Sequence, residues 1–196
     1  EQELARVSQR EIGSIFFGGG TPSLFSATAI DSILNAVRSR TSLAADAEIT
    51  LEANPGTFEQ QKFADYRAAG INRLSIGIQS FDSDKLQALG RIHDGDEAIG
   101  AIETAASAGF ENINLDLMFG LPGQSIEQAL ADVKLACEFQ PGHVSHYQLT
   151  IEPNTYFHKH RPLLPDADRL WAMQQRCHDI LAEYEYRRYE VSAFSR

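Results

Sequence analysis

Asn112-Ile113-Asn114-Leu115-Asp116-Leu117-Met118-Phe119-Gly120-Leu121-Pro122-Gly123 is the stretch on which the fold turns. From Asn112 to Leu117 polar and apolar side chains alternate with the period of two that belongs to a β-strand. One face of such a strand is apolar and packs on helices, while the other carries Asn112, Asn114 and Asp116 away from them. Four more segments read as strands: Ser14 to Phe17, Glu48 to Glu52, Arg73 to Ile78 and Val144 to Leu149. Their ends are spaced like successive β-strands that each carry a crossover helix, a unit of roughly 30 or more residues. Helix-start chemistry fills the gaps. Thr57 with Gln60, Asp94 with Glu97 and Ser125 with Gln128 match the capping box, and Gly70 and Gly109 stand where helices end. A last amphipathic helix over 165–184 stripes Leu170, Met173, Cys177, Ile180, Leu181 and Tyr184 along one side. Alternating strands and helices leave an open doubly wound sheet or a (β/α) barrel. A complete eight-stranded barrel takes about 250 residues, so the 196 present predict one domain over 1–196, a partial parallel (β/α)6 barrel of TIM-like type.

Composition narrows the function. The chain is 43% hydrophobic with a net charge of −10, and it has no basic block, which argues against a nucleic-acid partner. No apolar run reaches the roughly 18 to 20 residues of a transmembrane segment, and the first ten residues lack signal-peptide character, so a cytoplasmic protein is expected. A start without Met suggests a piece of a longer polypeptide. Two cysteines, Cys137 and Cys177, cannot build a four-thiolate metal site; each falls on the apolar stripe of a predicted helix, as buried thiols do. His143 with His146 and His158 with His160 lack the helical HExxH pattern or a CxxC partner, so no metal is assigned and they read as surface or mouth histidines.

In parallel α/β folds ligands bind at the carboxyl ends of the strands. Gly18-Gly19-Gly20-Thr21-Pro22-Ser23 follows the first strand, and its bare backbone allows close approach of a ligand. The run is neither a dinucleotide fingerprint nor a phosphate-binding P-loop. Glu52 closes the second strand with its carboxylate aimed into the barrel mouth, Gln79 follows the third strand, Asp116 ends the fourth, and Thr150 lies just past the fifth. Such a ring of acids and amides suits a polyfunctional small molecule. No hydrolytic triad can be picked out.

Taken in order, FFGGGTPS (16–23), EITLEANP (48–55), GINRLSIGIQSF (70–81), NINLDLMFGLPGQ (112–124), YQLTIEPNT (147–155) and YEVSAF (189–194) resemble the radical S-adenosylmethionine (SAM) family. The branch is that of the oxygen-independent coproporphyrinogen III oxidases and the HemW-type haem chaperones, and EANP, IGIQSF and YQLTIEPNT are similar to the chaperone type. The resemblance implies SAM as cofactor, contacted by Gly19, Gly20, Thr21, Glu52, Gln79, Arg91, Asp116 and Thr150, with no catalytic residue assigned. It also implies a [4Fe–4S] cluster in the full-length protein. The CxxxCxxC loop that would bind it, and the strand before that loop, are not in this sequence; the haem-associated HNxxYW segment would lie just beyond Arg196. A reduced cluster would supply an electron to bound SAM, giving methionine and a 5′-deoxyadenosyl radical. Partners implied are porphyrin or haem, an acceptor haemoprotein and an electron donor. Whether the parent is an enzyme stays open. A haem carrier, a coproporphyrinogen III oxidase and an ordinary (β/α) barrel ligand-binding domain that shares only the fold are the three readings.

Overall fold

The computed structural model describes residues 10–55 and 59–196, the side chains of 59–61 excepted. Five strands, β1 (Glu11–Phe17), β2 (Ser42–Ala53), β3 (Arg73–Gln79), β4 (Asn112–Phe119) and β5 (His143–Gln148), lie parallel and in sequential order. An antiparallel ribbon, β6 (Arg187–Arg188) and β7 (Ala193–Ser195), closes the far side with β7 against β5. Sequential order without a reversal is the connectivity of a barrel arc rather than of a doubly wound sheet. Beyond β5 the sheet continues with β7 running the other way.

The crossovers carry α1 (Ala27–Arg38), α2 (Glu59–Ala69), the pair α3 (Ser83–Ala88) and α4 (Gly95–Ser107), and α5 (Ile126–Glu138); α6 (Tyr156–Lys159) and α7 (Ala167–Glu183) follow β5. Capping boxes start α4 at Asp94 with Glu97 and α5 at Ser125 with Gln128, each satisfying N–H groups that the first helical turn leaves unpaired. The proposed box at Thr57 lies outside the described residues. Gly70 follows the end of α2 at φ +108°, a conformation that a side chain would strain.

Register makes the sheet two-faced. Leu51 pairs with Leu74 and Leu74 with Ile113, while Ile76 pairs with Leu115 and Leu115 with Val144. This apolar face packs on Ile30 and Leu34 of α1, Phe63 and Tyr66 of α2, Ile102 of α4, Val133 and Cys137 of α5, and Met173, Cys177 and Leu181 of α7. The next residues along each strand make the opposite row, in which Glu52 pairs with Ser75, Ser75 with Asn114 and Asn114 with His143. The helices therefore cover one side of the arc, and the other side is a concave polar surface.

β2 starts at Ser42, six residues before the expected Glu48. Ser42 and Leu43 pair with Glu11 and Ile12 of the edge strand across a register shift, a pairing that the alanine-rich run before Glu48 does not announce.

Candidate functional site

The carboxyl ends of the strands surround a pocket of about 220 Å³ whose wall includes Gly20, Glu52, Asn54, Ser75, Gly77, Gln79, Arg91, Asp116 and Tyr147. The glycine run shapes one side. Gly19 and Gly20 sit at φ +80° and +60°, values that only glycine adopts without strain, and the Gly19 N–H donates to Glu52 Oε2 at 2.9 Å. A Cβ on Gly18 would lie 2.7 Å from the Phe16 ring and 3.1 Å from Glu52 Oε1, so a side chain there would have to displace the exposed Phe16 ring and crowd that carboxylate.

Arg91 enters from the turn between α3 and α4. Its Nη2 donates to Asn54 Oδ1 at 2.8 Å and to the Gly77 carbonyl at 3.0 Å. A Cβ on Gly77 would approach Gln79 Nε2, Arg91 Nη2 and Asn54 Oδ1 to within 2.9–3.0 Å, so these three groups converge over bare backbone. Burial lowers the Arg91 pKa, with Tyr147 and Asp116 opposing the shift. Gln79 holds φ +67°, where the register with β4 slips between Ile76 and Gln79. The turn brings its Oε1 to the Tyr147 hydroxyl, which donates at 2.8 Å. Burial raises the Tyr147 phenol to about 12, keeping it a hydrogen-bond donor.

Asp116 anchors the floor. Ser75 donates to its Oδ2 and Asn114 Nδ2 to its Oδ1, both at 2.9 Å, and Ser145 in turn donates to Asn114 Oδ1 at 3.1 Å. Burial raises the Asp116 pKa; hydrogen bonds from Ser75, Ser145 and Asn114 pull it down, and the Glu52 charge pushes it up. Two carboxylates, one guanidinium and neutral donors and acceptors thus meet in one hollow. The arrangement can hold a ligand that carries both a positive and a negative group, with a net preference for positive charge.

Of the residues expected from the sequence, Gly20, Glu52, Gln79, Arg91 and Asp116 line this pocket, and Gly19 bonds to its wall. Thr21, between Gly20 and Pro22, accepts from the Leu24 N–H through its carbonyl in the short 3-10 turn Pro22–Leu24. Thr150 is elsewhere, in a second hollow with Leu89, Thr155, Tyr156 and Phe157. Sequence reasoning passed over Asn54, Ser75, Gly77 and Tyr147. Strand alternation could have found Ser75 and Tyr147, which share the faces of Arg73 and of Ser145.

The histidines depart from expectation. His146 is buried, its ring stacked 4.7 Å from Phe119, and burial lowers its pKa to about 3. It follows Val144 on the apolar face, which is why it is neither at the surface nor at the mouth. His143 lies at the opposite end of the strand from the pocket, beside Arg73 and Glu48. His158 and His160 are exposed. Cys137 and Cys177 are buried beneath the helices with thiols pushed up to about 12 by burial, and both lie outside the pocket wall. Among the described residues no group of three or more His, Cys, Asp or Glu could hold a metal ion, and no helix is long and apolar enough to cross a membrane.

A sequential parallel arc of strands with a charged pocket at the strand ends defines a half-barrel ligand-binding domain. Residues 1–136 match the family model of the radical SAM superfamily, and the chain belongs to that superfamily. It is 52% identical over all of its 196 residues to the heme chaperone HemW of Escherichia coli K12, covering 52% of that protein, and 50% identical over 190 residues to the HemW of Haemophilus influenzae, covering 50%. Among solved structures it resembles the radical SAM enzyme coproporphyrinogen III oxidase (HemN) of Escherichia coli, with a TM-score of 0.86 at 26% identity over all of this chain and 46% of that one. The chain thus spans about half the length of the curated relatives it matches.

Proposed function

We propose that the strand-end pocket binds SAM, and that the chain is the SAM-binding part of a haem chaperone of the HemW kind. The observation that carries the first statement is the charge layout of the pocket: Glu52, Asp116 and Arg91 line one hollow, with Arg91 lying over the bare backbone of Gly77. SAM has an ammonium, a carboxylate and a sulfonium, so one guanidinium and two carboxylates complement it group by group. In this reading Glu52, set against the Gly19 loop, takes the ammonium, and Arg91 with Asn54 takes the carboxylate. Asp116 and the Tyr147–Gln79 pair bind the remaining polar groups. Once bound, SAM would supply an activated sulfonium for radical chemistry.

A [4Fe–4S] cluster does not fit the residues present. Both cysteines are buried under the helices as protonated thiols, whereas a cluster needs converging thiolates.

The chaperone reading is supported by the 52% identity to HemW over the whole chain. Coproporphyrinogen III oxidation is the second reading, favoured by the backbone likeness to HemN, at half that identity. Haem or a porphyrin, an acceptor haemoprotein and an electron donor are partners of the whole protein in these readings. Two assays on the whole protein with its cluster rebuilt separate them: a haem absorbance titration, and anaerobic incubation with coproporphyrinogen III, SAM and a reductant followed by product chromatography. Saturable haem binding without turnover is expected. Protoporphyrinogen in the product would promote the oxidase.

A further inference from the structure

We infer that Asp132 is a positioning residue for the pocket: from α5 its carboxylate clamps Ser80 and Phe81, and so holds Gln79 in the turned backbone conformation that carries its amide to Tyr147. Asp132 touches none of the pocket. It is buried on α5 among Ala129, Val133 and Ala136, positions that otherwise take apolar side chains. The Ser80 hydroxyl donates to its Oδ2 at 2.7 Å and the Phe81 N–H to its Oδ1 at 2.8 Å. Ser80 Oγ in turn accepts the Asp82 N–H at 3.0 Å, and Gln124 Nε2 lies 3.5 Å from the same Asp132 oxygen. One carboxylate therefore grips two consecutive residues immediately after β3 and reaches toward the loop after β4.

Gln79 needs such a grip. A non-glycine residue at φ +67° is held against its own preference; the Ser80 N–H closes the turn on the Ile78 carbonyl at 2.9 Å, and the β3–β4 register shifts between Ile76 and Gln79. In the turned conformation the Gln79 amide accepts from Tyr147 and lines the pocket.

The ionisation of Asp132 separates this role from a stabilising one. Burial raises its pKa to about 6, with Asp82 pushing the same way and the hydrogen bonds from Phe81 and Ser80 opposing. The other titratable neighbour it acts on is Cys177 of α7. A carboxyl group with a raised folded pKa favours folding when protonated, and that advantage is lost as pH rises through the folded value. At neutral pH the charge therefore costs stability, and the neutral isostere asparagine, which keeps only one of the two acceptor oxygens, should fold at least as well while weakening the grip on Ser80.

The inference rests on the pocket being the SAM site, so its test has one arm that needs no ligand. Wild type, Asp132→Asn and Ser80→Ala forms of the whole protein, labelled with 15N, are compared at pH 7.5 by thermal unfolding, by the backbone and side-chain amide resonances of Gln79 without ligand, and by calorimetric titration with SAM. Expected for Asp132→Asn are an unchanged or raised Tm, displaced Gln79 resonances and a SAM Kd at least fivefold weaker. Ser80→Ala should displace the same resonances. Unmoved Gln79 resonances in both variants, or a weaker Kd that only tracks a fall in Tm, would overturn the role. Absence of SAM binding by the wild type would sink the SAM reading alone, because the Gln79 resonances still decide whether Asp132 sets the turn.

Discussion

The two faces of the same five strands are built for different tasks. On β4, Ile113, Leu115 and Leu117 are buried against the helices, while Asn112, Asn114 and Asp116 interleave with them and face the hollow of the arc. The first set contributes through apolar area removed from water, roughly 25 cal/mol per Å². In the second set Asn114 and Asp116 sit among hydrogen bonds that satisfy them without adding much net stability. Stability and ligand chemistry are thus separated by one residue of register. A single-residue slip would exchange them.

The largest break in that comparison should come from the apolar face. Leu115→Ala removes a fully buried side chain between β3 and β5 and is expected to cost about 3 kcal/mol, read as a lower denaturation midpoint in urea at an unchanged m-value. A cost near that of an exposed substitution would mean that the helices are not packed on this face as described.

Titration sharpens the contrast, because the two faces respond to pH with opposite sign. His146, on the apolar face, has its pKa lowered from 6.5 to about 3. A base that folds in the neutral form stabilises above its unfolded pKa, and the contribution drains away as pH falls from about 6.5 toward 3. Asp116, on the polar face, has a raised pKa, so its protonated form is the one that favours folding and its contribution is lost as pH rises. Denaturant unfolding between pH 4 and 8 should show His146→Phe flattening the acid loss and Asp116→Asn raising stability at neutral pH only. Parallel pH profiles for both variants and the wild type would contradict the assignment of the two faces.

The smallest expected effect is at Thr150. It lies in the neighbouring hollow with Leu89 and Tyr156, and Thr150→Val should change SAM affinity by less than about twofold, within the range of a contact that is not made. A tenfold loss in calorimetry would join the two hollows into one site.

How much was legible follows from the same alternation. Glu52 and Asp116 could be placed because Ile49, Leu51, Ile113 and Leu115 beside them are unmistakably apolar, and the caps of α4 and α5 could be read from side chains that bond within one turn. β5 gives less contrast. In His143-Val144-Ser145-His146-Tyr147-Gln148 a histidine stands on the apolar face and a tyrosine on the polar one, so His146 was misplaced and Tyr147 missed. Asn54 and Gly77 matter only because Arg91, distant in sequence, folds back onto them. The turn at Gln79 is set by a carboxylate 53 residues away, and strands as short as β6 and β7 carry too few residues for a period to show.

The central claim is that the polar face, at its strand-end pocket, is the SAM site. Calorimetric titration of SAM into the whole protein and its Glu52→Gln and Asp116→Asn variants tests it most directly, with Tm recorded alongside. Each variant removes a charged acceptor worth about 1.5 to 3 kcal/mol to a buried partner, so SAM affinity should fall roughly tenfold or more in both while Tm holds or rises. Unchanged affinity in both variants would contradict it and leave Glu52 and Asp116 as parts of a merely structural polar face.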